Sequence, residues 1–296
     1  MICDAHCDTL FRMMEGKHNS LDITLDRLRQ GGVTLQVFAM FVGNDNRLDI
    51  VQAQNSAMLE QLEVLKAQGL RHIKNLDDLC DDQVNGMLSL EGCECITDEK
   101  ALDYYTEKGV RMAAVTWNFE NDFAYPACLN KDRGLKPFGK EMVVEMQKRK
   151  IAIDVSHLNE AGFYDLIEYF DKPVLASHSN VARLCAHSRN LTDDQLKALF
   201  QKGGYVGINF WPNFLSPAHN ADLDTVIDHI LYMMDLGGSG KVGFGSDFDG
   251  ISTKPSGLEN PLGFPKLIQR MYERGLTQNE VEGIAGKNLI AYFQRL

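Results

Sequence analysis

Ionisable residues stand at or near the ends of several apolar, β-branched runs of the sequence. They are His6, Asp8, Glu91, His157, His178 and Asp247. An isolated carboxylate in such a run is costly to bury unless it is paired or binds a metal. Three histidines and two carboxylates, without thiolate, suit a pair of borderline divalent cations, zinc first and manganese or cobalt as alternatives. The residue types therefore predict a metal site if the ends of the runs meet on one face.

The spacing of these residues sharpens this prediction. His6 and Asp8 are two positions apart, so in an extended chain they lie on one side and can reach the same cation. Glu91 could bridge two cations, and His157 and His178 could hold the second. Two ions across a bridging carboxylate would lower the pKa of a shared water and polarise a carbonyl, which is the chemistry of hydrolysis. His-x-Asp alone is more often incidental than functional, so the site is predicted from the five residues together.

Two further residues could serve this chemistry. Asp247, in the segment GFGSDFDG, could act as a general acid or base. The alternative is an Asx turn, which fits Asp249 and Gly250 better than Asp247. Arg189 is a bidentate donor suited to a substrate carboxylate, but a helix-cap or surface role fits its position equally well. Candidates for orienting the ligands are Asp154, Asp228 and His229, whereas we assign no role to His18, His72, His187 and His219, which fall in predicted loops or polar segments.

The elements that must position these residues follow from the apolar runs. There are eight, ICDAH, VTLQVFAMFV, GMLSLEG, VRMAAVTW, IAIDVSH, PVLASHS, GYVGINF and KVGFGSD. Most lack strict alternation, which is typical of parallel strands covered on both faces. Helical patterns lie between them, and several end with glycine. Eight strand and helix units predict an α/β fold, a (β/α)8 TIM barrel, in which strand ends meet at the active-site face. A doubly wound sheet is the alternative, but the glycine-rich phosphate loop that often accompanies it is missing.

Smaller signals refine this prediction. Thr192 with Gln195 three residues later fits a capping box at a helix start. The stretch Phe119–Gly139 has no clear period and is predicted to be a long active-site loop. After the eighth run, the sequence predicts helices that close or cap the barrel. No linker or composition break divides residues 1–296, so we expect a single domain.

Composition and charge exclude several classes of protein. The chain is 44% hydrophobic and 24% charged, as in globular proteins. A net charge of −11 without a stripe of Lys and Arg argues against nucleic acid as a partner. We find no secretion signal or long apolar segment, so we expect no membrane partner and a cytoplasmic location. Seven cysteines, an odd number, fit reduced thiols in a reducing compartment.

Several motifs in this order make the sequence similar to the membrane dipeptidase (renal dipeptidase) family of metallopeptidases. They are DAHCD, SLEGCE, GLKPFGKEMV followed by IDVSH, PVLASHS, HSRNLTDDQL, VGINF and VGFGSDFDG. The resemblance extends over the whole chain and implies a (β/α)8 barrel with two zinc ions. It also implies hydrolysis of dipeptides, including those with a D-residue on the C-terminal side. Because dimers are common in that family, a homodimer is a possible assembly.

The resemblance also implies roles for individual residues. His6 and Asp8 would hold one ion, Glu91 would bridge, and His157 and His178 would hold the other. Arg189 matches the arginine that binds substrate. Asp247 matches the aspartate that transfers a proton during peptide cleavage, so Asp247 and Glu91 are the predicted catalytic residues.

The sequence departs from the family at one site position. Where many members have a histidine in L-T-H-N, this chain reads AVTWN, with Trp117 at the histidine position and Asn118 after it. We predict that both line the substrate site, that the indole narrows it, and that Asn118 or the second metal replaces part of the oxyanion stabilisation. Two alternatives to a dipeptidase stay open: an amidohydrolase acting on N-acyl amino acids, lactones or another small amide, and a ligand-binding relative that has lost turnover.

Overall fold

A closed barrel of parallel strands forms the centre of the computed structural model, which describes residues 1–41, 43–129 and 132–296. Within these ranges the strands are β1 (Ile2–Asp4), β2 (Val33–Phe41), β3 (Arg71–His72), β4 (Asn85–Glu91), β5 (Val110–Ala114), β6 (Ala152–Asp154), β7 (Leu175–Ala176), β8 (Tyr205–Ile208) and β9 (Val242–Phe244). β1 pairs with both β2 and β9, β2 pairs with β4, and the later strands pair in sequence order. The predicted eight-stranded (β/α)8 barrel is confirmed.

The strand β3 is an addition that the sequence pattern did not predict. It has two residues and pairs with the first two residues of β4, before β5 takes that side of β4. His72, which the sequence placed in a loop or a polar segment, therefore lies in a short polar strand. Two residues are too short for hydrophobic periodicity to register.

The helices surround the barrel, between the strands and after β9. They are α1 (Thr9–Met14), α2 (Leu25–Gln30), α3 (Leu48–Ala67), α4 (Glu99–Lys108), α5 (Pro137–Lys148), α6 (Glu160–Tyr169), α7 (Asp193–Gln201), α8 (Pro212–Leu215), α9 (Leu223–Met233), α10 (Phe264–Glu273), α11 (Gln278–Glu282) and α12 (Asn288–Phe293). The capping box of Thr192 and Gln195 is confirmed at the start of α7. None of the helices in the described ranges has the length and apolar character needed to cross a membrane.

Two apolar clusters cover the two faces of the sheet. One contains alternate strand residues such as Leu35, Val37 and Met112 and is closed by Leu289 and Tyr292 of α12. The other contains the intervening strand residues and the inner faces of the surrounding helices. Because both faces are buried, the strands are apolar at successive positions, which explains the missing alternation in the sequence.

The predicted loop Phe119–Gly139 is only partly irregular. It contains a 3₁₀ helix, Ala127–Leu129, and α5 already begins at Pro137. Asn130 and Lys131, within the same stretch, lie outside the described residues, as does Val42 at the end of the run that forms β2.

Close packing fixes the end of β7, which precedes His178. A Cβ atom on Gly245 would lie 1.8 Å from the carbonyl oxygen of Ser177, and one on Gly207 would lie 2.1 Å from the same atom. Real Cβ atoms do not approach a backbone oxygen this closely, so only glycine allows β8 and β9 to pack against this peptide. The glycines in VGINF and VGFGSD thus set the position of a strand end that carries a predicted ligand.

We expect Gly245→Ala to lower the free energy of unfolding by about 3 kcal/mol, the upper range for overpacking, because backbone must move. Gly240→Ala is the matched control. Gly240 has a φ of +75°, and no atom lies within 4 Å of the position that a methyl group would take, so its substitution should cost about 1 kcal/mol of left-handed strain. Urea denaturation followed by circular dichroism measures both, and equal losses would contradict the packing explanation.

Candidate metal centre and its cavity

The predicted ligands meet at the carboxyl ends of the strands. His6 and Asp8 follow β1, and Glu91 ends β4. His157, His178 and Asp247 follow β6, β7 and β9. All of these side chains are at least mostly buried. The structure thus brings together every residue for which the sequence predicted metal binding or proton transfer.

The carboxylate of Glu91 lies at the centre of this group. Its Oε1 atom is 3.0 Å from His157 Nε2, 3.4 Å from His178 Nε2 and 3.7 Å from His6 Nε2. The Nε2 atoms of His157 and His178 are themselves 3.1 Å apart. Three imidazoles therefore point the same ring nitrogen at one carboxylate oxygen.

A second set of oxygen atoms lies near the same nitrogen of His6. Its Nε2 atom is 3.8 Å from both Asp8 Oδ2 and Asp247 Oδ1. Ligand atoms of His6, Glu91 and His178 lie within 4.8 Å of one another, and so do those of His6, Asp8 and Asp247. The donor atoms thus form two sets that have His6 in common. Asp247 is close enough to His6 and Asp8 to bind the same cation as they do.

Hydrogen bonds fix the ring orientation of two histidines. Nδ1 of His157 donates to Asn118 Oδ1 at 2.9 Å. Nδ1 of His178 donates to Ser177 Oγ at 2.7 Å, and Ser177 Oγ donates in turn to Asp154 Oδ2. With Nδ1 protonated, each neutral ring presents the lone pair of Nε2 to the centre, the form in which imidazole binds metals. Asp154 thus occupies the orienting position that the sequence suggested.

Burial governs the ionisation of the centre. It raises the pKa of Glu91 well above its usual range, with Asp8 and Asp247 adding to the effect. It lowers the pKa of His157 and of His178 well below the usual range. Burial alone would also lower the pKa of His6, but Glu91, Asp8 and Asp247 together raise it to about 10. The carboxylates therefore need nearby positive charge to ionise.

Unpaired polar atoms show that this centre fits divalent cations. His6 Nε2 and Asp8 Oδ1 are buried and have no hydrogen-bond partner among the described residues. Such atoms are rare in folded proteins unless a ligand completes them. Because the donors are imidazole nitrogens and carboxylate oxygens around a bridging carboxylate, two divalent ions would both satisfy them and neutralise the acidic groups.

Asp247 is held in a constrained conformation. Its φ is +63°, a left-handed value that is uncommon for residues other than glycine. Asn209 Nδ2 donates to its Oδ2 at 2.8 Å, which leaves Oδ1 facing His6. Burial raises the pKa of Asp247 to about 7. A Cβ on Gly250 would lie 2.1 Å from Asp8 Oδ2 and 2.4 Å from Asp247 Oδ1, so both carboxylates pack directly on that glycine.

Asp249 does not share the role of Asp247. Its carboxylate accepts from Thr9 Oγ1 at 2.7 Å and from the backbone N–H of Asp22 at 2.6 Å. It also accepts from the N–H of Ile23. It therefore ties the turn after β9 to the start of α1 and to the chain before α2. These are long-range contacts, not the local bonds of the Asx turn that the sequence suggested as an alternative.

A cavity of about 600 Å³ opens beside the centre. Asp8, Glu91, His157 and Asp247 line it, as do the predicted substrate-binding residues Trp117, Asn118 and Arg189. Two aromatic groups line it: one is Phe11, Phe41 and Trp117 in edge contact, and the other is Trp211 with Phe214.

Arg189 is a buried cation that lines this cavity. Its side chain stacks over Phe214, 5.7 Å from the ring centre, and its Nη2 lies 3.5 Å from the carbonyl oxygen of His178. Nε is buried without a hydrogen-bond partner among the described residues. Burial lowers the pKa of Arg189 to about 10, so the group is still charged at neutral pH. Arg189 therefore keeps a buried N–H donor, at Nε, that an anion in the cavity can satisfy.

Some predicted residues lie elsewhere. Asp228 pairs with Arg274 on the surface, so it does not orient a ligand. His229 accepts from the N–H of Val181 and donates to the carbonyl of Leu215, a packing role. His187, to which the sequence assigned no role, lines the cavity.

Contacts across the barrel supply the residues that the sequence analysis missed. Asn209, Ser177 and Gly250 touch predicted site residues from neighbouring strands or turns. Ser246 donates to the buried Asp4 by both its N–H and its hydroxyl, much as Ser177 does to Asp154. The only signal was their place near the end of an apolar run or just after one, which does not distinguish them from ordinary turn residues.

Comparison with known proteins places this chain among metallopeptidases. The sequence matches the profile of the family described as "Membrane dipeptidase (Peptidase family M19)" over residues 1–295. An uncharacterized dipeptidase of Schizosaccharomyces pombe is 32% identical over 324 residues, covering 98% of this chain and 79% of that protein.

Two solved structures are similar over nearly their full length. Dipeptidase AC, a metallopeptidase of family M19, is 28% identical with a TM-score of 0.93, and 99% of this chain and 98% of that one are covered. A metallopeptidase from Rhodobacter sphaeroides, with a phosphinate mimic of the dipeptide L-Ala-D-Ala bound, is 26% identical with the same TM-score and coverage.

The hydrogen bond from His178 to Ser177 predicts how metal affinity should respond to substitution. We expect Ser177→Ala to weaken binding of one divalent ion by about 10–100-fold, because the imidazole loses its orienting partner. Ser179→Ala is the matched control, since Ser179 also flanks His178 and is buried, but its hydroxyl has no hydrogen-bond partner among the described residues. Competition with a chromogenic chelator measures the affinities; equal values for both variants would contradict this role of Ser177.

Proposed function

Because the chain belongs to the membrane dipeptidase family, peptidase family M19, we propose that it hydrolyses dipeptides with two divalent metal ions, zinc first. Membership makes the protein a metallopeptidase, a hydrolase that acts on peptide bonds. The observation that carries the two-ion proposal is the meeting of three imidazole Nε2 atoms within 3.7 Å of Glu91 Oε1. A carboxylate with that many imidazole neighbours is suited to bridge two cations.

Two sets of residues would hold the two ions, and Glu91 would be a ligand shared by both. His6 and Asp8 would hold one ion, and His157 and His178 the other. When bound, the ions supply Lewis acidity, which polarises a carbonyl and makes a water acidic enough to be a nucleophile near neutral pH. The hydrogen bonds from His157 to Asn118 and from His178 to Ser177 keep the ligand nitrogens unprotonated.

Asp247 is the proposed proton carrier. It faces the cavity, and Asn209 holds one of its oxygens so that the other faces the centre. A carboxylate in this position can accept the proton of the attacking water and deliver it to the departing amine. Burial keeps the pKa of Asp247 near neutrality, which favours both halves of that transfer.

Arg189 is the proposed anchor for the carboxylate of the dipeptide. The guanidinium is buried, charged and without a carboxylate partner within ion-pair distance in the described chain. The main-chain carboxylate of the residue that follows the scissile bond would pair with this guanidinium. Substrates with a single peptide bond are therefore favoured over longer chains.

Trp117 and Asn118 shape the rest of the site. Trp117 packs edge-on against Phe41 with 4.5 Å between ring centres and so forms a wall rather than a hydrogen-bond donor at the family's histidine position. Asn118 Oδ1 already accepts from His157, which leaves its amide Nδ2 as the group that can stabilise a developing oxyanion.

We extend the proposal to two further properties. Acceptance of a D-residue on the C-terminal side is supported by the R. sphaeroides relative, which binds a mimic of L-Ala-D-Ala. A cytoplasmic location and a single domain over residues 1–296 are supported by seven free cysteines and by one barrel whose first and ninth strands pair.

A substrate panel tests the proposed reaction. We expect the zinc-loaded protein to release free amino acids from L,L and L,D dipeptides, and to cleave N-acyl amino acids at least about 100-fold more slowly because they lack the free amine. Amino-acid release is measured by chromatography on a preparation of known metal content. Activity confined to N-acyl amino acids would favour an amidohydrolase, and no turnover with two ions per chain would favour a ligand-binding relative.

Two substitutions separate metal binding from proton transfer. We expect His178→Ala to lower the metal content from two ions to one and to abolish turnover. Asp247→Asn should retain metal and lower kcat by about 10²–10⁴-fold, the usual contribution of general acid–base catalysis. Metal analysis and kinetics on the same samples provide both readings. Full activity of Asp247→Asn would make the proton-transfer assignment wrong, whereas loss of an ion would make Asp247 a ligand.

A further inference from the structure

A second arginine lines the same cavity. Arg12 lies in α1, one turn after the ligand Asp8, and its side chain is about two-thirds buried, with a relative exposure of 34%. Its Nε atom is fully buried and has no hydrogen-bond partner among the described residues. A guanidinium in this state has lost water without gaining a full set of acceptors, which is unfavourable until an anion binds.

The nearest carboxylate does not satisfy Arg12. Glu15 Oε2 is 3.7 Å from Arg12 Nη1, which is beyond hydrogen-bond distance. The same oxygen accepts a hydrogen bond from Lys17 Nζ at 2.9 Å, so Lys17 already compensates its charge. Asp249, which also lines the cavity, is occupied by Thr9 and by backbone N–H groups near Asp22. Arg12 is thus a cation with spare donors.

The cavity therefore contains two guanidinium groups, whereas a neutral dipeptide carries a single carboxylate. In the proposed function, on which this inference rests, Arg189 binds the main-chain carboxylate and leaves Arg12 for a second anionic group. We propose that Arg12 binds a second carboxylate, on the substrate's side chain, and that the preferred substrates are dipeptides containing an aspartate or glutamate residue. The planar fork of arginine matches a carboxylate with two parallel hydrogen bonds.

The proposal predicts discrimination between isosteric side chains. Glutamate and glutamine differ by one charge and almost no volume, so the aromatic walls contact both equally. We expect kcat/KM to be about 10–100-fold higher for the acidic member of each pair, the usual effect of a charge-assisted hydrogen bond. Comparing Ala-Glu with Ala-Gln and Glu-Ala with Gln-Ala shows which residue of the substrate Arg12 contacts.

Substitution of Arg12 tests whether it causes this preference. In Arg12→Met the ratio of kcat/KM for the acidic and amide substrates should fall to about one, and Arg12→Lys should retain part of it. Arg29→Met is the matched control, because Arg29 is a surface arginine that pairs with Asp26 and does not line the cavity, and its ratio should equal that of the wild type. An unchanged ratio in Arg12→Met would overturn the proposal. If kcat/KM fell by the same factor for both substrates, Arg12 would instead bind the main-chain carboxylate, which would also overturn the proposal.

A binding measurement keeps this test separate from the proposed reaction. Both tryptophans of the chain, Trp117 and Trp211, line the cavity, so intrinsic fluorescence reports its occupancy. Reduced-bond analogues of the preferred pair, with CH₂ in place of the peptide carbonyl, bind without being cleaved. Tighter binding of the acidic analogue to the metal-loaded wild type, lost in Arg12→Met, supports the proposal even if no dipeptide is hydrolysed. Equal affinities for both analogues in the wild type overturn it even if dipeptides are hydrolysed.

Discussion

The structure depends on a buried carboxylate, Glu91, that is surrounded by three imidazoles. Two more carboxylates, Asp8 and Asp247, lie near the Nε2 atom of one of these imidazoles, His6. Without external positive charge this centre is electrostatically unfavourable, because burial raises the pKa of Glu91 while it lowers the pKa of His157 and His178. The barrel can contain this centre because its eight strands and the helices around them bury apolar surface. The free energy gained from that burial exceeds the free-energy cost of burying the centre. The unfavourable arrangement is also what makes the centre able to hold cations.

The remainder of the scaffold keeps the ligands from relaxing away from one another. Ser177 connects Asp154 to the ring of His178, and Asn209 fixes one oxygen of Asp247. Left-handed φ values at His157 and Asp247 hold both residues in backbone conformations that residues other than glycine rarely adopt. Because these constraints come from different strands, the geometry of the centre is a property of the closed barrel rather than of any single loop.

The sequence predicted the barrel because its strands are buried on both faces, which leaves long apolar runs, and because each ligand stands at the end of such a run. It missed β3, whose two residues carry no periodicity, and Asn209, whose contact with Asp247 joins residues far apart in the chain. Neither spacing nor composition could show that Lys17 hydrogen-bonds to Glu15 or that the buried Nε of Arg12 has no hydrogen-bond partner among the described residues. Contacts of this kind depend on side-chain direction, which only the folded chain defines.

The pairing of β1 with β9 has a consequence for biosynthesis. The first strand leads directly into His6 and Asp8, but its partner on one side is the last strand of the barrel, and the cluster inside the barrel is completed by Leu289 and Tyr292 of α12. During translation the earliest ligands therefore emerge long before the residues that enclose them. A nascent chain keeps an open sheet edge beside β1 until β9 has been synthesised, so this edge is exposed to chaperones throughout that interval.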